Sequence, residues 1–151
     1  MMSQVEFSPM QAADLDTVVA IEQAAFSHPW SRTLFADALN SYQCWVMRVD
    51  GEQVGHAVLQ MILDEAHLLN ITVAPAWQGR GLGLRLLQQI MQEAGRQGAC
   101  ECFLEVRASN QQAYRLYERY GFNEVGRRRD YYPAAQGGRE DALLMVCTLL
   151  D

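Results

Sequence analysis

Hydrophobic residues recur at helical spacing in some stretches of this chain and alternate with polar residues in others. In the first half, residues 14–26 form one helical pattern, and Ser31 stands where it would cap a second helix. Strand-like runs occur at 5–7, 42–49, 53–63 and 65–73. Asp50-Gly51, between the second and third of these runs, predicts a tight hairpin turn.

The second half alternates strands and helices. One helical pattern follows Gly83 and ends at Gly98, and a second covers residues 109–120. Strands are predicted at 101–107, 123–132 and 142–149. This order predicts one α/β (α+β) domain over residues 1–151, with a mixed, mostly antiparallel sheet and helices on both faces.

A glycine-rich segment, Gln78–Gly83, lies between the strand at 67–73 and the helix that ends at Gly98. Such a strand–turn–helix unit directs free backbone N–H groups and the positive end of the helix dipole at one point, which suits a phosphate. Glycines let the backbone approach an anion without a Cβ in the way. Arg80 and Arg85 add positive charge, so the segment predicts a phosphorylated cofactor.

Two common phosphate loops do not match. The nucleotide P-loop requires Gly-Lys-Ser/Thr, and the dinucleotide fingerprint requires a third glycine where Leu84 stands. The remaining pattern is Gln78-x-x-Gly81-x-Gly83. A glycine-rich turn that only starts a helix is the alternative interpretation.

That pattern resembles the acetyl-CoA pyrophosphate loop of the GCN5-related N-acetyltransferases (GNAT family). The strand Glu101–Arg107, a helix with Asn110 near its start and Tyr117 two turns on, and Gly121-Phe122 extend the similarity. The resemblance runs from about residue 21 to 145. It implies the GNAT fold, with a splay between the two central strands, and acetyl-CoA as co-substrate. The cofactor-binding residues that it implies are Ile71, Thr72, Val73, Gln78, Gly79, Arg80, Gly81, Leu82, Gly83, Leu84 and Asn110.

Within this family the resemblance is to the RimI-type enzymes, which acetylate the N-terminal alanine of the eighteenth small-subunit ribosomal protein. It rests on Leu104–Asn110, Arg129–Pro133, Gly138–Ala142 and Pro29-Trp30-Ser31. The implied partner is therefore the N-terminal peptide of a basic ribosomal protein. The same cofactor motifs also fit an enzyme for protein lysine or a small amine, or a non-catalytic acetyl-CoA sensor.

Acetyl transfer to an amine requires a base and an acid. An α-amine has a pKa near 8, so only about a tenth of it is neutral at pH 7, and a lysine near 10.4 is worse. The resemblance implies Glu105 as the base and Tyr117 as the acid that protonates the leaving thiolate. A surface or arginine-paired glutamate, and a tyrosine kept for aromatic packing, are the alternatives. Tyr114 lies off the helical stripe and is a poorer candidate.

Trp30, Tyr131 and Tyr132 are predicted to wall a slot over the acceptor peptide, or else to be core aromatics. The backbone N–H groups of residues 71–73 are expected, by the resemblance, to bind the pantetheine arm and thioester carbonyl. Asn110 is also placed to be a plain helix N-cap.

Composition narrows the possible partners. A net charge of −6 disfavours nucleic acid and suits a cationic peptide. We expect no membrane span, no signal peptide, no metal site and a cytoplasmic location.

Cys100 and Cys102 are expected to be reduced and buried with Leu104 and Val106. The cluster Arg127–Arg129 is either a solvated edge or a binding patch.

Overall fold

Seven strands and four α-helices follow one another along the chain in the computed structural model, which describes residues 3–134 and 136–149. The strands are β1 (Val5–Pro9), β2 (Gln43–Val49), β3 (Glu52–Ile62), β4 (Glu65–Val73), β5 (Glu101–Arg107), β6 (Asn123–Pro133) and β7 (Arg139–Thr148). The helices are α1 (Leu15–Ala25), α2 (Arg32–Ser41), α3 (Leu82–Arg96) and α4 (Gln111–Tyr120). No helix within these two ranges is long and apolar enough to cross a bilayer.

All the strands join one sheet in the order β1-β2-β3-β4-β5-β7-β6. The β4–β5 pair is parallel and the other pairs are antiparallel, so the predicted mixed, mostly antiparallel sheet is confirmed. One core cluster packs α3 and Tyr117 of α4 on one face, and a second packs α1 and α2 on the other. The helices therefore cover both faces, as expected.

Local signals in the sequence are found where they were predicted. Asp50 and Gly51 both have positive φ, at 50° and 86°, as a two-residue hairpin turn requires. The Ser31 hydroxyl accepts a hydrogen bond from the Leu34 N–H at 3.2 Å and caps α2. The last strand begins at Arg139, three residues before the predicted start.

The centre of the sheet opens between β4 and β5. Their parallel pairing covers only three steps and ends at His67 and Phe103. On its other side, β4 carries one extra residue, Leu69, opposite the Val58–Leu59 step of β3. This bulge reverses the alternation of β4: Ala66 and Leu68 face the first core cluster before it, whereas Ile71 and Val73 face that cluster after it. The splay leaves the last residues of β4 without a strand neighbour on the β5 side.

The cysteine expectation was correct for Cys102 and wrong for Cys100. Cys102 is buried on the face that carries Leu104 and Val106, whereas Cys100 is exposed. Cys100 precedes the first residue of β5, so the alternation of the strand does not extend to its side chain.

The arginine cluster lies on β6, the edge strand of the sheet, and Arg127, Arg128 and Arg129 are all exposed. The cluster therefore lies on a solvated edge, and a role in binding stays a prediction. Two of the three arginines also form ion pairs that bear on the site described next.

Candidate active site

The glycine-rich segment has the backbone that its sequence predicted. Gly79 and Gly81 have φ of 80° and 78°, a region that residues with a Cβ rarely adopt. Gly81 is also the N-cap of α3. Gly83 faces α4, because a Cβ there would lie 3.4 Å from the Leu116 side chain, in van der Waals contact.

A cavity of about 460 Å³ lies between the splayed end of β4, this segment and α4. It brings together most of the predicted cofactor residues and the predicted acid. The predicted residues that line it are Ile71, Thr72, Val73, Gln78, Gly79, Gly81, Gly83, Leu84, Asn110 and Tyr117.

Two predicted cofactor residues have other surroundings. The Arg80 guanidinium lies over the Trp77 ring, 4.7 Å from its centroid, and Leu82 is buried in the first core cluster. Neither belongs to the cavity lining among the described residues. Gln78 does line it, and its amide donates to the Val73 carbonyl at 2.9 Å, which ties the loop to the end of β4.

Helix α4 forms the opposite wall. The Asn110 side chain accepts a hydrogen bond from the Ala113 N–H at 3.1 Å, so the predicted N-cap is confirmed, and the same residue lines the cavity. Several lining residues were missed by the sequence analysis: Gln112, Ala113, Arg115, Leu116 and Arg119 from α4, with Ala25 and Phe26 from the end of α1. Arg115 and Arg119 are four residues apart and so lie on one helix face, a signal that could have identified them. Nothing local in the sequence indicates that the end of α1 reaches this cavity.

Tyr117 of α4 lines the cavity and is otherwise buried in the core. It is 7% exposed and contacts Phe122 edge-on at 5.8 Å between ring centroids. Burial raises the pKa of its phenol well above the ordinary value, and the neighbouring Cys102 and Tyr132 add to the rise. The phenol is therefore fully protonated at neutral pH. Tyr114, in contrast, donates to the Glu124 carboxylate at 3.1 Å on the outside of the helix.

Glu105 lies beyond the lining of this cavity, on the exposed face of β5. Its Oε1 is 3.4 Å from the Arg128 Nε, so Glu105 is paired with an arginine, and its role as a base stays a prediction. Arg128 in turn lies over the Tyr131 ring at 5.4 Å, and Arg107 lies over the Tyr132 ring at 4.4 Å.

Tyr132 is close enough to interact electrostatically with both Glu105 and Tyr117. Burial raises the pKa of Tyr132 to about 12, with Glu105 the next cause. The same tyrosine contributes to the raised pKa of Tyr117. Tyr132 is therefore the residue that both the candidate acid and the candidate base influence.

The third predicted wall residue, Trp30, is elsewhere. Its ring packs on Phe35 at 5.2 Å between centroids and joins the second core cluster. Among the described residues, the cavity lining on this side consists of Ala25 and Phe26 instead.

A bulge in β6 sets the position of the two tyrosines. Residues 129–131 stand opposite the single residue Asp141, and Asp130 has a φ of 50°. The Asp141 carboxylate accepts the Asp130 N–H at 2.9 Å and an Arg127 N–H at 3.1 Å. The Arg139 guanidinium donates to the carbonyls of Asp130 and Tyr131, each at 2.8 Å. Side chains of β7 thus hold the bulge from which Tyr131 and Tyr132 project.

Beneath the cavity lies Glu22 of α1, a carboxylate that is only 1% exposed. Burial by itself raises the pKa of a carboxyl group, but the hydrogen bond and charge attraction from His56, with hydrogen bonds from Trp30 and Thr72, outweigh it. The pKa of Glu22 therefore lies below its ordinary value. Helical spacing from Leu15 and Val18 is a signal that could have placed Glu22 on the buried side of α1.

Comparison with known proteins assigns the chain to a family. The profile of the Acetyltransferase (GNAT) family matches residues 15–122. The chain belongs to the GNAT family. Within this family it is similar to the [ribosomal protein bS18]-alanine N-acetyltransferase of Escherichia coli K12, with 42% identity over 140 residues, 92% of this chain and 94% of that protein. The Haemophilus influenzae protein of the same name is 40% identical over 94% of this chain and 97% of its own length. The RimI-type resemblance is thereby confirmed.

Solved structures agree on the fold of this GNAT protein. The crystal structure of the E. coli ribosomal-protein-S18-alanine N-acetyltransferase superposes with a TM-score of 0.91 at 40% identity, covering 98% of this chain and 96% of that one. A GNAT acetyltransferase from Elizabethkingia anophelis with acetyl-CoA bound has a TM-score of 0.79 at 22% identity, covering 95% and 97%. These relatives and the family assignment make the chain an acetyltransferase.

The residues present fit the acetyl-CoA that the GNAT family uses. The α3 N-terminus and the positive-φ glycines offer backbone N–H groups to a pyrophosphate. A Cβ built at Gly79 or Gly81 would meet no described atom within 4 Å, so the backbone there is open to a ligand.

Proposed function

We propose that this chain is an N-terminal acetyltransferase that moves the acetyl group of acetyl-CoA to the α-amine of an N-terminal alanine on a ribosomal protein. The observation that carries the proposal is the 42% identity, over 92% of the chain, to enzymes named for bS18-alanine. The cavity supports it, because the splayed strand, the glycine loop and Tyr117 surround one space. A ribosomal acceptor would place the activity in the cytoplasm.

On the cofactor side, residues 71–73, Gln78–Leu84 and Asn110 would hold acetyl-CoA. The loop and the α3 N-terminus bind the pyrophosphate, while the free edge of β4 offers N–H groups to the pantetheine arm and the thioester carbonyl. These backbone donors stabilise the negative charge that develops on the carbonyl oxygen as the amine attacks.

Glu105 accepts a proton from the incoming ammonium, directly or through water. The amine nitrogen then bonds to the carbonyl carbon, and the carbon–sulfur bond breaks. The second proton of the nitrogen leaves through water and restores the Tyr117 phenol after it has protonated the sulfur, so a neutral amide and a thiol remain. Arg128 is exposed where it pairs with Glu105, so a cationic amine can replace the guanidinium at the carboxylate. This exchange gives the observed ion pair a role before substrate binds.

Tyr117 supplies the proton that the departing thiolate takes up. A phenol with a raised pKa can do this because the proton moves as the carbon–sulfur bond breaks and the sulfur gains charge. The phenol is buried at the wall of the cavity, and this burial limits the access of water molecules that could protonate the thiolate in its place.

Tyr131 and Tyr132 form the acceptor wall on the β6 side. On the other side we place Phe26 and the residues leading to Trp30, with the Trp30 ring buttressing this loop through Phe35. The acidic balance of the chain, −6, suits the basic N-terminal peptide of a ribosomal protein.

The test offers one peptide in two forms, each beginning with alanine and containing intact lysines. The N-terminus is free in one form and chemically blocked in the other. Mass spectrometry after incubation with acetyl-CoA should find acetylation only on the free form. Equal acetylation of the blocked form would place the activity on lysine, and no acetylation of either form would favour a small amine or a non-catalytic sensor.

A further inference from the structure

The buried carboxylate of Glu22 takes no part in the mechanism above, yet each of its two oxygens has two hydrogen-bond partners. Oε1 lies 2.9 Å from His56 Nε2 and 2.9 Å from the Thr72 hydroxyl. Oε2 accepts from the Asn70 amide at 3.0 Å and from the Trp30 backbone N–H at 3.2 Å. A charge this deeply buried is tolerated only when it is paired and hydrogen-bonded, and here four donors converge on it.

Three of these donors belong to the sheet and one belongs to the connection between α1 and α2. The sheet borders the cofactor cavity, and the connection is on the proposed acceptor side. Asn70 and Thr72 belong to the splayed part of β4, and Thr72 itself lines the cofactor cavity. The Trp30 N–H belongs to the connection between α1 and α2, residues 26–31. We call this connection the acceptor loop.

Glu22 holds the acceptor loop at both ends. Its side chain accepts the Trp30 N–H, and its backbone carbonyl accepts the Phe26 N–H at 3.2 Å. Phe26 lines the same cavity as Thr72. The Phe26 bond closes the last turn of α1 and does not involve the side chain, so the carboxylate itself ties the Trp30 end of the loop to the strand that meets the cofactor.

His56 makes this junction stiff. A carboxylate only accepts, so the His56 Nε2 must carry the hydrogen. The ring is fully buried on β3, opposite Thr72, and its edge meets the Phe35 ring at 5.2 Å and 84°. Its Nδ1 has no hydrogen-bond partner among the described residues, so Glu22 is the polar attachment of the ring.

We propose that Glu22 is a positioning residue that fixes the acceptor loop on the splayed end of β4, and thereby couples acceptor-peptide binding to acetyl-CoA binding. The identity of these two ligands rests on the proposed function. Ligand contacts that order residues 71–73 also order the Glu22 carboxylate, and through it the loop that meets the peptide. Coupling between two sites is reciprocal and typically changes affinity by about 5- to 150-fold.

The experiment measures that coupling directly by calorimetry. The probes are an alanine-initiated basic peptide and the unreactive ketone analogue of acetyl-CoA, in which a methylene replaces the thioester sulfur. The peptide Kd is measured with and without saturating analogue, and the ratio of the two values is the coupling factor. We expect a factor of at least about 5 in the parent, from the range quoted above.

Glu22→Gln keeps the shape of the side chain but replaces one acceptor oxygen with a donor. The new NH₂ group must face either the Trp30 N–H or the His56 N–H, so one link between loop and sheet is lost. The coupling factor should fall close to one. Asp14→Asn is the matched control, because Asp14 pairs with Arg48 at 2.8 Å just before α1 and lies outside the cavity lining. It should leave the factor unchanged.

A milder pair of variants serves if Glu22→Gln does not fold. Thr72→Val removes one of the four hydrogen bonds and keeps the backbone and the branched shape, whereas Thr72→Ser keeps the hydroxyl. We expect a lower coupling factor for Thr72→Val and a nearly parental factor for Thr72→Ser.

Two results overturn the coupling alone. One is a coupling factor near one in the parent. The other is a Glu22→Gln protein that binds each ligand more weakly with the factor preserved, since Glu22 would then be a structural residue only. A parent that binds the analogue but no peptide would overturn the proposed acceptor together with the coupling, whereas a parent that acetylates the peptide without coupling would leave the proposed function intact.

Discussion

The proposed cofactor side and the proposed acceptor side of this site are built in different ways. The cofactor side comes mainly from one continuous stretch, Ile71–Leu84, and presents backbone groups shaped by glycines at 79 and 81. The acceptor side is assembled from side chains that are distant in the sequence. Its ion pairs join Glu105 to Arg128, Arg107 to Glu140 and Arg127 to Asp141.

This difference has a consequence for how each side tolerates change. Backbone N–H groups remain when side chains are substituted, so the cofactor side is sensitive mainly at its positive-φ glycines. The acceptor side rests on partly exposed pairs, each of which contributes little by itself. A few substitutions there could change the acceptor while leaving acetyl-CoA binding intact. Four predictions test this division, and they are ordered by the size of the expected effect.

Tyr117→Phe should lower kcat by about 100-fold or more and leave the acetyl-CoA Kd unchanged, because it removes one acidic proton from a cavity whose backbone stays intact. Steady-state kinetics and calorimetry give the two numbers. Tyr120→Phe is the control on the same helix, since Tyr120 is outside the cavity lining. Equal losses in both variants would show that Tyr117 is only a packing residue.

Glu105→Gln should reduce kcat/KM by roughly 100-fold at pH 6 and roughly 10-fold at pH 8, since the amine is mostly protonated at the lower pH and needs the base. The measurement is the pH–rate profile of kcat/KM for the peptide. Glu101→Gln, on the same face of β5, is the matched control. If the Glu105→Gln profile overlays that of the parent after scaling, another group is the base.

Gly81→Asp should weaken acetyl-CoA binding by roughly 10- to 100-fold, because it combines a disfavoured φ with a negative charge that repels the pyrophosphate and competes with it for the helix N-terminus. Calorimetry on the folded variant measures the Kd. Gly81→Asn tolerates positive φ and adds no charge, so it should lose less. Gly98→Asp, at a φ of 96° beyond the other end of α3, controls for backbone strain. Unchanged affinity in Gly81→Asp would mean that the loop only starts a helix.

Asp141→Ala should raise the peptide KM by roughly 5-fold, because it removes the carboxylate that holds the Asp130 N–H and Arg127, and so loosens the β6 bulge. The acetyl-CoA Kd should not change. Asp16→Ala, which breaks the exposed pair with Arg32, should leave both values unaltered. A parallel rise in the acetyl-CoA Kd would contradict the division between the two sides.

Much of the fold could be predicted because its signals are local. Hairpin residues 50–51, the Ser31 cap and the helical spacing of α3 each depend on neighbours within a few positions. The resemblance to the GNAT family then located the cavity wall from Ile71 to Leu84 and singled out Tyr117. The burial of the Leu82 side chain in the first core cluster could not be predicted, because one residue of a loop cannot reveal which side of a new helix it begins.

The Leu69 bulge and the Glu22 network could not be predicted in the same way. A bulge is a difference in count between two paired strands, so it exists only once β3 and β4 are in register. Glu22 is a charged residue on the buried side of an amphipathic helix. A single buried carboxylate of this kind is identified only by the donors around it. Those donors come from positions 30, 56, 70 and 72, which no local pattern connects.

The sequence by itself determined the order of the elements, the conformation of the glycine loop and the position of Tyr117 on the inward-facing stripe of α4. All three follow from short-range backbone preferences and helical spacing. Only the tertiary structure decided how far β4 and β5 remain paired, which arginine stands beside Glu105, and that Phe26 rather than Trp30 faces the cavity. The physical reason is that these features depend on long-range packing and charge pairing. Their partners are separated by many residues and meet only when the sheet is assembled.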